Sequence, residues 1–200
     1  MKHSVFVTMS LFEGGLSVIA LLLLSFTTIV INPPGSAGAG ALLWGCLAAL
    51  ATYGAMALSV RWLPGFRARL RPHIGQMQQL FTPLSLWQLA FISLLAGVGE
   101  ELLFRVLLQN WLAGFGYPSV AIVLASLVFA ALHWLSLTYF LVTLVVGLAF
   151  GIVYHTTQSF VLVASWHGVY DFIALVIVSR CPQWLGFSQA SPPSPNTQTH

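Results

Sequence analysis

Two glutamates stand side by side in an apolar run, Glu100 and Glu101, and the chain has only two other acidic residues, Glu13 and Asp171. A carboxylate removed from water is costly enough that a sequence keeps it only where it is paired, protonated, metal-bound or reactive. Other side chains able to do chemistry recur at a spacing of four: Glu101 with Arg105, Phe129 with His133, and His167 with Asp171. On a helix such positions share a face. A carboxylate with an imidazole can activate water as a general base, and a second imidazole can face a developing oxyanion. Glu100, His133 and His167 also form the His2Glu set that catalytic zinc accepts, so these three are the ligands if a divalent metal such as zinc is the cofactor.

The elements that position these residues are membrane helices. Hydrophobic residues make up 58% of the 200 residues and charged ones 6%, against about a quarter charged in an ordinary soluble domain. A spanning helix needs ~20 apolar residues, and residues 41–60 contain no charge at all. The fold class expected is therefore all-α, a polytopic transmembrane bundle of about six spans. A signal peptide does not explain the N-terminus, because its apolar run exceeds the usual core of roughly 7 to 15 residues. Cys46 and Cys181 lie far apart and lack CxxC spacing, which argues against a disulfide or a thiolate site.

Taken in order, residues 4–32 read as a helix stopped by Pro33 and Pro34, which lack amide donors. The second span, 41–60, is followed by Arg61, Arg67, Arg69, Arg71 and His73. Basic loops accumulate on the cytoplasmic side, so this loop and both termini are expected inside. Residues 72–85 suit an interfacial helix preceded by basic residues. Further spans follow at 86–115, 119–135, 137–155 and 159–178. The organisation expected is an N-terminal hairpin over 1–62, a basic loop and interfacial segment over 63–84, a catalytic core over 85–182 and a disordered polar tail over 183–200. The net charge of +3 is topology on this count rather than a nucleic-acid surface, and Arg105 alone among Lys and Arg lies at membrane depth.

Depth brings the reactive residues together. At ~1.5 Å per residue, Glu100 lies ~22 Å from the outer end of its span and His133 ~21 Å from residue 119. By the same rise, His167 and Asp171 lie ~12 and ~18 Å from residue 159. Carboxylates and imidazoles from three helices thus meet nearer the cytoplasmic face. A transporter or proton relay would string such groups across the bilayer instead, and a scaffold would keep its function without them. Gly147 and Gly151 form a GxxxG pair that suits close helix packing. No histidine is followed by Glu, so HExxH is absent, and no serine sits in GxSxG.

Three motifs carry a family resemblance. Glu100-Glu101-Leu102-Leu103-Phe104-Arg105 fits EExxxR, Phe129 to His133 fits FxxxH, and His167 to Asp171 fits HxxxN/D. In this order, over roughly residues 85–180, the chain resembles the CPBP (CAAX protease and bacteriocin-processing, or Abi) family of intramembrane endopeptidases, related to type II CAAX prenyl proteases. Leu11 to Gly15 is similar to bacterial members, which implies a bacterial cytoplasmic membrane. The resemblance implies that Glu100 and His133 activate water, that His167 faces the oxyanion with Asp171 fixing its ring, and that Glu101 pairs with Arg105. Many relatives carry Asn where this chain has Asp171. The family has been described both as metalloproteases and as glutamate-dependent proteases. The partner implied is a membrane-associated protein or peptide, such as a prenylated CAAX tail or a bacteriocin leader, within the lipid bilayer. With neutral histidines the site would hold an excess of negative charge, which protons on Asp171, Glu100 or the histidines, or else a divalent cation, would relieve.

Overall fold

The computed structural model describes residues 2–33 and 36–187. The described residues are helical throughout, with no strand among them: α1 Lys2–Leu24, α2 Ala39–Trp62, α3 Pro64–Phe81, α4 Leu86–Glu101, a π-helical segment Leu102–Gln109, α5 Asn110–Ala113, α6 Pro118–Leu132, α7 Leu137–Thr157, α8 Phe160–Arg180 and a 3-10 turn Pro182–Leu185. Four helices are long and apolar enough to cross a bilayer: Ser4–Leu24, Ala39–Trp62, Leu137–Thr157 and Phe160–Arg180. The other two expected spans differ from plain helices. One passes through the π segment, and the other, Pro118–Leu132, has 15 residues, about 22 Å at the α-helical rise. Large apolar side chains face outward along these helices, among them Leu43, Leu47 and Leu50 of α2 and Val145 and Ile152 of α7. Such an outward face suits lipid rather than water, and the chain is an integral membrane protein.

Three boundaries depart from the sequence expectation. α1 ends at Leu24, eight residues before the expected stop. The hydroxyls of Ser25 and Thr27 turn back onto the carbonyls of Leu22 and Leu24 at 2.6 and 2.9 Å, competing with helix continuation. The β-branched run Thr27 to Ile31 then resists it further. α3 begins at Pro64 rather than near residue 72, because proline suits the first helical position where its missing N–H is no loss. Arg67, Arg69 and Arg71 therefore lie on the helix itself. At the other end, part of the expected polar tail is built into the fold. Leu185 and Phe187 are buried with Val60, Leu70 and Val178, while residues 188–200 lie outside the described residues.

Two close approaches set the frame. α4 and α8 meet at glycines: a Cβ on Gly97 would lie 2.6 Å from the Ala164 carbonyl oxygen and 2.7 Å from the Gly168 amide nitrogen. α6 and α7 meet at Gly147 and Gly151, in agreement with the close-packing role expected of that pair, and there a Cβ would press on the side chains of Phe129, Gln109 and Ile122. α8 is further tied to α2 by Trp166, whose Nε1 donates to Thr52 Oγ1 at 3.0 Å. Arg180, at the end of α8, donates to the carbonyls of Thr82 and Leu84, fixing the turn from which α4 starts. α4 itself begins with a capping box in which the Ser85 amide donates to Gln88 Oε1 at 2.9 Å.

Candidate active site

The glycine seam between α4 and α8 brings Glu100 and Glu101 directly against His167. His167 Nδ1 donates to Glu101 Oε1 at 2.8 Å, and the other oxygen of Glu101 lies 3.2 Å from Arg105 Nε. Glu101 and Arg105 are wholly shielded from solvent, at 0% exposure each. Burying two charges is tolerable only with such mutual compensation. The guanidinium also lies over the Phe129 ring, 4.8 Å from its centroid, a placement that offers further attraction to a desolvated cation. His167 is stacked on Phe150 at 5.2 Å, so its ring is held on a face and at one nitrogen.

Glu100 faces the other way, toward both imidazole Nε2 atoms. Its Oε2 lies 3.5 Å from His133 Nε2 and 3.9 Å from His167 Nε2. His133 sits just past the last turn of α6, with its Nδ1 2.8 Å from the Phe129 carbonyl. A carbonyl only accepts, so Nδ1 carries the hydrogen, and in the neutral ring Nε2 offers a lone pair toward Glu100. Two acceptors facing each other at 3.5 Å need something to donate to both. A water molecule can do so while turning its own lone pair outward, which is the arrangement a nucleophile needs.

The structure brings all six sequence-predicted residues together. It changes one role. The resemblance gives Asp171 the task of fixing the His167 ring, but Asp171 Oδ2 lies 3.5 Å from Nε2, the nitrogen that faces the reactive space. The opposite nitrogen is bonded to Glu101, so Glu101 orients the ring, and it does so while also holding Arg105. The i to i+4 pattern favoured Asp171 because both residues are on one helix; the competing partner came from another helix, which spacing alone does not show.

A cavity of about 290 Å³ opens onto this cluster, with Glu13, Glu100, His133, His167 and Asp171 in its walls beside apolar residues of α2 and α3 such as Met56, Ile74 and Met77. Glu13 and these walls had no role in the sequence analysis. The one signal for Glu13 was its type: it is the chain's only acidic residue outside the three motifs. Among the described residues no group of three or more His, Cys, Asp and Glu side chains is arranged to hold a metal ion. Glu100, His133 and His167, as placed, do not form a cage for zinc, and the chemistry below is derived from side chains. His155, at the end of α7, is exposed and takes no part.

Residues 82–173 match the family model described as type II CAAX prenyl endopeptidase Rce1-like. The matched stretch starts just after α3 and contains all three motifs, leaving α1, α2 and α3 outside it. No curated protein matches the chain, and no solved structure does.

Proposed function

Because the chain belongs, through residues 82–173, to the Rce1-like family of type II CAAX prenyl endopeptidases, we propose that it hydrolyses a peptide bond in a lipidated, CAAX-like or otherwise membrane-anchored substrate by water activated between Glu100 and His133. The observation that carries this proposal is the pair of acceptors facing each other across 3.5 Å at the cavity wall. Water held there gives a proton to the Glu100–His133 pair as its oxygen bonds to the scissile carbonyl carbon. The carbonyl oxygen becomes an oxyanion facing His167. When His167 carries hydrogen on both nitrogens, Nδ1–H donates to Glu101 and Nε2–H is free to donate to the oxyanion. Collapse breaks the C–N bond, and the departing nitrogen receives the proton taken from water. Arg105 touches none of the reacting atoms; it holds Glu101, which holds His167.

The distribution of Lys and Arg supports cytoplasmic termini and a cytoplasmic α3, which puts the site on the side where lipidated tails reside. A bacterial cytoplasmic membrane is the setting this suits.

The test is product analysis by mass spectrometry after incubating purified protein with a fluorescent peptide ending in a prenylated CAAX sequence, reconstituted in lipid. Cleavage by the wild type and a rate lower by 10²-fold or more in Glu100→Gln, with the variant still folded, is the expected outcome. Full activity in Glu100→Gln would defeat the proposal. Stoichiometric zinc whose removal and restoration switch activity would instead make Glu100, His133 and His167 ligands.

A further inference from the structure

All four acidic residues of the chain converge on one place, although one of them comes from far outside the matched stretch. Glu13 lies in the middle of α1, and α1 runs against α4 so closely that a Cβ on Gly99 would be 2.7 Å from the Glu13 carbonyl oxygen. This contact seats Glu13 one residue along from Glu100. Its side chain is buried, at 9% exposure, yet it has no ion-pair partner among the described residues, and its Oε2 has no hydrogen-bond partner. It lines the same cavity as Glu100, His133, His167 and Asp171.

Glu101 differs from Glu13 in the way that matters. Arg105 and His167 compensate Glu101, so that carboxylate is part of the frame. An uncompensated buried carboxyl weakens a fold rather than supporting it, and a chain that retains one gains something other than stability. The cavity also presents other polar atoms without partners, Ser93 Oγ from α4 and Tyr53 OH from α2. A peptide drawn into a largely apolar space brings backbone N–H groups that must find acceptors there, since no water is at hand to satisfy them.

We infer that Glu13 is a further catalytic residue of this site, a carboxyl on α1 that contacts the substrate and accepts a hydrogen bond from a backbone N–H of the peptide beside the scissile bond. This rests on the endopeptidase assignment above. Glu13 thereby makes α1 a functional wall of the site, so the catalytic unit extends beyond residues 82–173.

The experiment compares wild type, Glu13→Met and Glu13→Gln, purified and reconstituted in the same lipid, by thermal unfolding and by steady-state cleavage of the prenylated fluorescent CAAX peptide. Methionine keeps the length and loses the acceptor; glutamine keeps an acceptor oxygen. Expected are an unfolding temperature of Glu13→Met at or above that of wild type, a KM raised about tenfold or more with a smaller change in kcat, and Glu13→Gln within a few-fold of wild type. A KM unchanged in Glu13→Met overturns the inference, and so does an unfolding temperature well below wild type, which would make Glu13 a structural residue. If wild type itself does not cleave the peptide, the endopeptidase assignment falls. The unfolding comparison then still decides whether Glu13 is held at a cost in stability, as a ligand-contacting group is, or as part of the frame.

Discussion

His167 and His133 face the same glutamate and are held in opposite ways. His167 lies inside α8, 6% exposed, with Nδ1 bonded to Glu101 and its ring stacked on Phe150. The helix that carries it is pressed against α4 through backbone atoms at Gly97 and Gly168. His133 lies beyond the last turn of α6, 30% exposed, bonded only to the carbonyl of Phe129 four residues earlier and packed on that ring at 4.5 Å. Its nearest support, the Gly147 surface, meets it through the side chain of Phe129 rather than through backbone. A group that must meet an oxyanion gains from being fixed before the reaction. A group that takes a proton and returns it gains from a small freedom of adjustment. The two histidines are built accordingly.

The comparison can be broken at three points. Gly97→Ala has the largest effect, because a methyl group there meets backbone on the opposing helix and no side chain can turn away. Overpacking of this kind costs about 3 kcal/mol or more, and the seam that holds His167 opens; the expected result is a sharp loss of monodisperse protein and a lower unfolding temperature. An unfolding temperature equal to wild type would show that the seam is not what fixes His167. Glu101→Gln comes next. It retains one acceptor but removes the charge that answers Arg105, for a cost of about 1–3 kcal/mol; kcat should fall with it, since the ring of His167 loses its orienting partner. Stability without activity loss would show that His167 needs no such hold. Gly147→Ala is the mildest. Its Cβ would lie 3.2 Å from Phe129 Cδ1, a distance relieved by a few tenths of an ångström of ring movement. The protein should fold as before while kcat drops by only a few-fold through the displaced His133, and a fall as deep as that of Glu101→Gln would show that His133 is held as rigidly as its counterpart.

The helical bundle and the six motif residues were legible from the chain because each rests on a short-range signal. Long apolar runs give the helices, and the spacing of four gives Glu101 with Arg105 at 3.2 Å. What the chain did not disclose depends on contacts between distant segments. The bond from His167 to Glu101 crosses from α8 to α4, and Glu13 gains its meaning only when α1 is laid against Gly99. The early end of α1 was misread for a different reason: the two prolines are a conspicuous stop, but the hydroxyls of Ser25 and Thr27 act first. The buried end of the presumed tail was hidden by its polar neighbours, since Leu185 and Phe187 are apolar islands in a Ser- and Pro-rich surrounding.

The π-helical stretch Leu102–Gln109 bears on how this chain tolerates changes of length. A π turn closes its hydrogen bonds one residue later than an α turn, so such a stretch stores a surplus residue while the helix on either side stays in phase. Removing Leu107, which follows Arg105, lets the stretch tighten toward α geometry. Glu100 and Glu101 then keep their aim at α8, and Asn110 keeps its bond to the Tyr154 hydroxyl, now 2.9 Å. The same deletion at Leu94 has no surplus to draw on and turns every later side chain by about 100°. Folded protein recovered from the first deletion and not from the second is the expected outcome, measured as monodisperse yield. Equal loss in both would mean that the stretch holds no slack. A helix of this construction can gain or lose a residue over generations without parting its two glutamates from their histidines.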